Sequence, residues 1–452
     1  MPKDRDADTR NKGFNLNSNQ RLYAIITSVL VAAFVLLFYA FPGYSPEGAS
    51  KGPVEISFAD NISQAHLEVI NLFNKEHEGR IKVVPVNLPF TKFSTDDRKE
   101  LLSRYFRSKS DRIDVFSVDQ IWVPRFARWG VPLDKYIPTG VVDRLSGYAT
   151  RSCAVDGSLI AAPLYLDIAV MFYRRDLLQR LPDGKEWIDR LRRSLTWDDM
   201  FRLHSELGRN SGPFFVYQAD DFEGLVCIYT EILASLNKQI LENGVLQLRT
   251  PEAEKALEFL VDLVNKYHVS PEEVTGFRED NSYDYFLKNK GVFLRGWPGF
   301  ARDRKLREEF PAAYSECVPT PLPHLSGSQP AYVFGGWNLM ISRFSTKIPE
   351  AAEFIRFLLS KQSQEIMYEA GGYLPSNTSV YSDTSFVKKH PRLLFYENLF
   401  KHGVYRPFSE RYTGISDILS YYLNLAIRRE MSPRAALEKA TEAIDSGSIL
   451  IK

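Results

Sequence analysis

Two apolar rhythms take turns along most of the chain. Val54-Glu55-Ile56-Ser57-Phe58 alternates apolar and polar positions, the two-residue period of a strand with one buried face. Ser63 to Glu78 places Leu67, Ile70, Leu72 and Phe73 on one helical stripe. Ile81 to Val86 predicts a second strand, Thr95 to Arg107 a helix and Ile113 to Ser117 a third strand. Strands and helices in this order predict a parallel sheet covered on both faces. Later helices carry start and stop signals. Thr196-Trp197-Asp198-Asp199 sets a capping hydroxyl three positions before an acid. Thr250-Pro251-Glu252 and Ser432-Pro433 put a cap before a first-turn proline. Pro349 opens a helix to Leu359, and Gly371-Gly372 closes the next one. Between Asp167 and Tyr332 the pattern is mostly helical, and it returns as a strand at Trp337 to Ser342. Two α/β lobes that the chain visits more than once fit this pattern. The crossovers fall near Leu164 to Ile168 and near Tyr332 to Gly335.

A third pattern precedes these. Leu22 to Phe41 is an unbroken, uncharged apolar run of about 20 residues, long enough to span a hydrocarbon core as a helix. Lys3, Arg5, Arg10, Lys12 and Arg21 lie before it, and few charges follow it. The positive-inside rule puts the N-terminus in the cytoplasm and the body outside, in the periplasm or the extracellular space. The rival is a cleaved signal peptide, but the run is longer than a signal core and no convincing small-x-small cleavage site follows. Gly43 to Pro53 reads as a tether.

Length and composition add limits. The 452 residues suffice for two or three domains, and 44% apolar with 25% charged residues is ordinary for a globular protein. A net charge of +1 gives no electrostatic case for nucleic acid. Cys153, Cys227 and Cys317 are too few and too far apart for a metal site or a disulfide framework, and read as small buried apolar residues. The seven histidines do not cluster at metal-ligand spacing. There is no phosphate loop, HExxH, GxSxG or dinucleotide glycine pattern, so no cofactor is expected.

The candidate chemistry centres on Phe334-Gly335-Gly336-Trp337. It reads as a glycine-thinned turn that brings an indole to a cleft and then runs into a buried strand. An indole suits a sugar, a ring apolar on its faces and polar at its rim. Trp122 and Trp297 stand in similar contexts. In an open parallel sheet, ligands sit beyond the carboxyl ends of the strands. Asp60 follows the first strand and Asp119 the third, so both carboxylates are expected at that crevice, where each accepts hydrogen bonds from vicinal hydroxyls. Each assignment has a structural rival. Asp119 also suits the cap of a helix starting near Gln120, Trp122 could pack in the core with Phe126, and Arg406 could be a surface ion-pair partner. Trp129, Trp187 and Trp197 read as structural.

The segment Asp114 to Pro124 resembles one in sugar-binding proteins of bacterial ABC importers. So do Pro163 to Asp167, Phe172 to Leu178, Thr196 to Asp199, Gly296-Trp297-Pro298, Gly335-Gly336-Trp337, Gly371 to Pro375 and Tyr405-Arg406-Pro407, in that family's order. Over Val54 to Ile444 the chain resembles family 1 extracellular solute-binding proteins of the maltose/trehalose type. The resemblance implies a two-lobe periplasmic-binding-protein clamshell of type II, here behind an N-terminal transmembrane helix. Lobe 1 would comprise 54–166 and 333–385, and lobe 2 would comprise 167–332 and 386–452. It implies a monomer, not an enzyme, that captures a carbohydrate by hinge closure and delivers it to ABC permease subunits. The implied contacts are Asp119 and Trp122 after the third strand, and Tyr165 and Asp167 at the first crossover. Trp297, Gly335, Gly336 and Trp337 would form a stacking face and the return crossover, and Arg406 a donor. Many members carry a cleavable signal or a lipidated cysteine, whereas the first cysteine here is Cys153. A membrane-tethered sugar sensor is the first alternative. A glycoside hydrolase using two of Asp60, Asp119 and Asp167 is the second.

Overall fold

A computed structural model describes residues 52–89, 95–208 and 212–447. The expected cytoplasmic stub and the Leu22–Phe41 anchor lie outside the described residues, as does nearly all of the tether. Among the described residues no helix is long and apolar enough to cross a membrane.

The first strands form as their alternation predicts: β1 (Val54–Asp60), β2 (Ile81–Asn87) and β3 (Val115–Asp119). The intervening helix Gln64–Glu76 starts at Ser63, whose hydroxyl accepts the His66 N–H, and buries Val69, Ile70 and Phe73. β1 pairs in parallel with both β2 and β3. β4 (Ala162–Ile168) then leads through Ala169 directly into β5 (Val170–Arg174). β5 belongs to a second sheet with β6 (Phe215–Val216), β7 (Phe293–Gly296) and β8 (Cys317–Thr320), in the order β8-β5-β7-β6. The chain returns along β9 (Tyr332–Ile341). With β10 (Gly403–Val404) the first sheet runs β10-β9-β3-β1-β2, and β4 also pairs with β9. This sheet is mixed rather than wholly parallel. β9 comes back from the second sheet and so runs antiparallel to β3 and β4.

Two hydrophobic cores accompany the two sheets. The first gathers Phe58, Phe116, Val118 and Leu339 with Phe354 and Ile355 from the helix Ile348–Leu358. The second gathers Phe172, Leu225, Leu260, Leu294 and Leu419. Leu374 and Val380, expected in the first lobe, pack in the second core. The capping signals operate as written: Thr196, Thr250 and Ser432 accept the Asp199, Ala253 and Ala435 N–H groups, and Gly372 ends its helix at a φ of 72°.

Candidate functional site

Strand register assembles one wall of the site. Side chains two residues apart on a strand share a face, so Gly335 and Trp337 point one way on β9, as do Tyr165 and Asp167 on β4. Gly335 lies opposite Asp167 and Trp337 opposite Tyr165, while across its other edge Trp337 lies opposite Asp119. Tyr165, Trp337 and Asp119 therefore form a row over three strands, with Asp167 beside it. The glycine pair belongs to a continuous strand rather than a turn, and each glycine has a packing reason. A Cβ on Gly336, whose φ is 132°, would come 2.5 Å from the Tyr165 carbonyl oxygen. One on Gly335 would come 3.1 Å from the Trp297 ring.

These residues line a cleft of about 760 Å³, a size suited to a small organic ligand. Elements packed around the second sheet supply the facing wall. Glu223 opens the helix Glu223–Ser235, Glu279 and Tyr283 stand on the helix Glu279–Lys288, and Trp297 precedes the 3-10 turn Pro298–Arg302.

Each indole is backed by a buried ion pair. In the first lobe Arg98 Nη2 lies 3.0 Å from Asp60 Oδ1, and its guanidinium carbon lies 4.2 Å from the Trp337 ring centre. In the second, Arg295 Nη2 lies 2.5 Å from Glu231 Oε1, and its guanidinium carbon lies 4.3 Å from the Trp297 ring centre. A guanidinium over a ring face is attracted by the ring quadrupole and fixes the ring plane. Trp297 Nε1 also donates to Glu279 Oε1 at 3.3 Å.

Carboxyl groups dominate the described lining, eight against the two guanidiniums of Arg278 and Arg406, which disfavours an anionic guest. Arg406 is only 2% exposed and bridges the two walls, with Nη1 at 2.7 Å from Glu223 Oε1 and Nη2 at 3.1 Å from Asp119 Oδ1. Burial opposes its charge, but the neighbouring Asp119 and Glu223 carboxylates outweigh it and hold the guanidinium ionised. Asp119 Oδ1 accepts the Ile121 N–H at 3.2 Å as well, so capping and ion pairing coexist. Half-buried Asp167 differs. Its carboxyl makes no hydrogen bond among the described residues. Burial, then the charge of Asp119, push it up to about 8 against the pull of Arg295.

Eight of the ten expected residues line the cleft: Asp119, Tyr165, Asp167, Trp297, Gly335, Gly336, Trp337 and Arg406. Two do not. Asp60 is 3% exposed and locked behind Trp337 by Arg98, with His66 Nε2 3.4 Å from its Oδ2. Burial raises its pKa, but His66 and Arg98 outweigh that and hold the carboxyl below its ordinary value. Trp122 ends the 3-10 turn that follows Asp119, which rotates it into the first core. There it stacks on Phe126 with ring centres 6.2 Å apart and meets Trp337 edge-on at 5.5 Å.

Sequence reasoning missed Glu223, Glu279, Tyr283 and Tyr373, which also line the cleft. The first two stand in the first turns of helices, where an acid reads as a partner of the helix dipole. Tyr373 stood within the Gly371 to Pro375 run and lies with its ring centre 4.4 Å from that of Tyr165.

Comparison with known proteins gives a consistent picture. The bacterial extracellular solute-binding protein family matches residues 68–394. A probable ABC transporter-binding protein of Deinococcus radiodurans is 26% identical over 422 residues, 90% of this chain and 96% of that protein. An arabinooligosaccharide-binding protein of Halalkalibacterium halodurans is 22% identical over 409 residues, 86% of this chain and 88% of that protein. Among solved structures, maltose-bound MalE3 of T. maritima superposes with a TM-score of 0.77 at 27% identity, covering 87% of this chain and 99% of that one.

Proposed function

We infer that this chain, which belongs to the bacterial extracellular solute-binding protein family, is the sugar-capturing component of an ABC importer. Its body works outside the cytoplasm and hands a carbohydrate to membrane permease subunits. The observation that carries this reading is the pair of indoles, Trp297 and Trp337, one from each lobe, lining one acid-rich cleft. Aromatic faces suit the apolar faces of sugar rings, and carboxylates suit their hydroxyls.

The finer reading goes further. The ligand is an oligosaccharide, held by Trp297, Trp337, Tyr165, Asp119, Asp167 and Arg406, with Gly335 making room for the Trp297 ring and Gly336 for the Tyr165 carbonyl. Closure of a type II clamshell buries it. Leu22–Phe41 tethers a monomeric receptor to the membrane, N-terminus inside. No bond of the sugar is broken. Asp60 lies outside the cleft and Asp119 is engaged by Arg406, which argues against an acid–base pair for hydrolysis.

The test is a melting-temperature panel on the full-length chain with maltose, maltodextrins and arabino-oligosaccharides. A ligand at 100 times its Kd stabilises the native form by about 2.7 kcal/mol, so at least one sugar raises the midpoint clearly. No shift with any sugar, in protein that melts cooperatively, overturns the reading. Release of smaller sugars from the bound oligosaccharide would restore the hydrolase alternative.

A further inference from the structure

Behind the turn that carries Trp297 lies a second cavity, of about 230 Å³, away from the acid-rich cleft. Its character is the opposite. Arg302, Lys389, His390 and Arg392 line it together with Tyr368 and Tyr396. One carboxylate serves two of the basic groups. Glu369 Oε1 lies 2.6 Å from Lys389 Nζ and 2.7 Å from His390 Nε2. His390 Nδ1 faces Arg302 Nη2 at 3.4 Å. Among the described residues neither Arg302 nor Arg392 has a carboxylate partner. Tyr396 is 2% exposed, and its buried hydroxyl has no hydrogen-bond partner. Gly372 makes room for Arg302, since a Cβ there would meet the Arg302 Cγ at 2.9 Å.

Two guanidiniums without counter-ions, a lysine already shared and an unsatisfied phenol converge on a space large enough for a small oxyanion. Guanidinium forks match tetrahedral oxyanions in geometry and in charge. The cavity also shares a wall with the cleft. In the turn Pro298–Arg302, Gly299 and Phe300 face the cleft, while Ala301 and Arg302 face the basic cavity. An occupant that draws on Arg302 therefore acts on the short segment that begins at Trp297.

We propose that this basic cavity is an anion-binding site for phosphate or a phosphate-bearing small molecule, and that its occupancy alters the affinity of the sugar cleft through the Pro298–Arg302 turn. The coupling half rests on the sugar-binding reading above, while the anion-binding half stands without it. Binding is measured by calorimetric titration of the full-length chain with inorganic phosphate, at ionic strength held constant with chloride. Saturable binding is expected. It weakens roughly tenfold or more in the double variant Arg302→Gln, Arg392→Gln, since each substitution removes a charge-assisted contact. Tyr396→Phe, which alters no charge, weakens it by a smaller factor and serves if the double variant does not fold. Absence of saturable binding of both inorganic phosphate and glucose 6-phosphate, or equal binding in folded variants, overturns the site. Glucose 6-phosphate binding that the double variant loses, where inorganic phosphate does not bind, assigns the site to a phosphate-bearing molecule. Sugar affinity is then measured with and without saturating phosphate. Linkage requires that each ligand change the other's Kd by the same factor. An unchanged sugar Kd overturns the coupling, and failure of all sugars to bind overturns the cleft reading and leaves the phosphate titration intact.

Discussion

Trp297 is the cleaner of the two indoles to remove. Trp337 is 8% exposed and wedged between Arg98 and Trp122, so its loss also disturbs the first core. Trp297 is half-buried, and two of its binding surfaces are already taken. Arg295 covers one face at 4.3 Å, and Glu279 accepts its N–H at 3.3 Å. One face is left for a ligand, and no donor. A single sugar ring against one aromatic face contributes about 1–2 kcal/mol, the lower part of the range for buried aromatic contacts. At 1.4 kcal/mol per decade, Trp297→Ala weakens Kd roughly 5- to 30-fold. Trp297→Phe keeps a face and loses less. The assay is calorimetric titration with whichever sugar gives the largest melting shift. It is run well below both midpoints, because the alanine variant also deprives Arg295 of its ring and Glu279 of its donor. Wild-type affinity in folded Trp297→Ala refutes the stacking role. A loss beyond about 1,000-fold refutes the one-face accounting, since that requires about 4 kcal/mol.

Three further substitutions separate charge, capping and packing. The raised Asp167 carboxyl, at about 8, keeps a proton in the native state that the unfolded chain releases near pH 4. The contribution of this group to native stability is therefore fully present below about pH 4 and is lost as pH rises toward 8, at most a few kcal/mol for this half-buried carboxyl. Asp167→Asn removes that slope, so its melting midpoint gains on the wild type between pH 5 and pH 8, and a constant difference over that range would contradict the shift. Asp119→Asn keeps an oxygen for the Ile121 N–H but removes the charge that Arg406 pairs with. Stability drops by about 1–3 kcal/mol and sugar affinity by roughly tenfold in a protein that still folds; equal affinity would reduce Asp119 to a cap and strut. Trp122→Phe costs about 1–2 kcal/mol of stability as a core truncation, with sugar Kd within about threefold of wild type. A tenfold weaker Kd would return Trp122 to the binding wall.

Local signals were legible because their physics is local. Periodicity located β1, β2, β3 and the helices between them, and the caps at Thr196, Thr250 and Ser432 work as their side chains dictate. The row of Tyr165, Trp337 and Asp119 was readable one residue at a time, but its geometry is set by pairing across strands far apart in sequence. Asp60 and Trp122 mark the limit. A residue at the end of a strand reaches the crevice only if no buried cation claims it first, and Arg98 claims Asp60. A residue one turn past Asp119 faces the crevice or the core according to the pitch of that turn, and the 3-10 geometry chose the core. The glycine pair reads as a turn because glycine is common in turns. Its purpose here is to admit the Tyr165 carbonyl and the Trp297 ring.

The two lobes solve one problem in the same way. Each holds a buried carboxylate, a buried guanidinium and an indole in sequence: Asp60, Arg98 and Trp337 in the first, and Glu231, Arg295 and Trp297 in the second. A buried ion pair is a weak source of stability, because desolvation consumes most of its Coulomb energy. Two such pairs under the two cleft-lining indoles are better explained by position than by stability. The guanidinium holds the ring plane, and the carboxylate holds the guanidinium. A ring fixed in advance loses no rotamer freedom when a ligand stacks on it, so less of the contact energy goes into ordering the protein. With both indoles set inside their own lobes, the variable left to the ligand is the separation between them. On the proposed reading, affinity then depends on the closure each sugar stabilises, and a sugar too short to reach both rings binds more weakly because it leaves one preset ring uncovered.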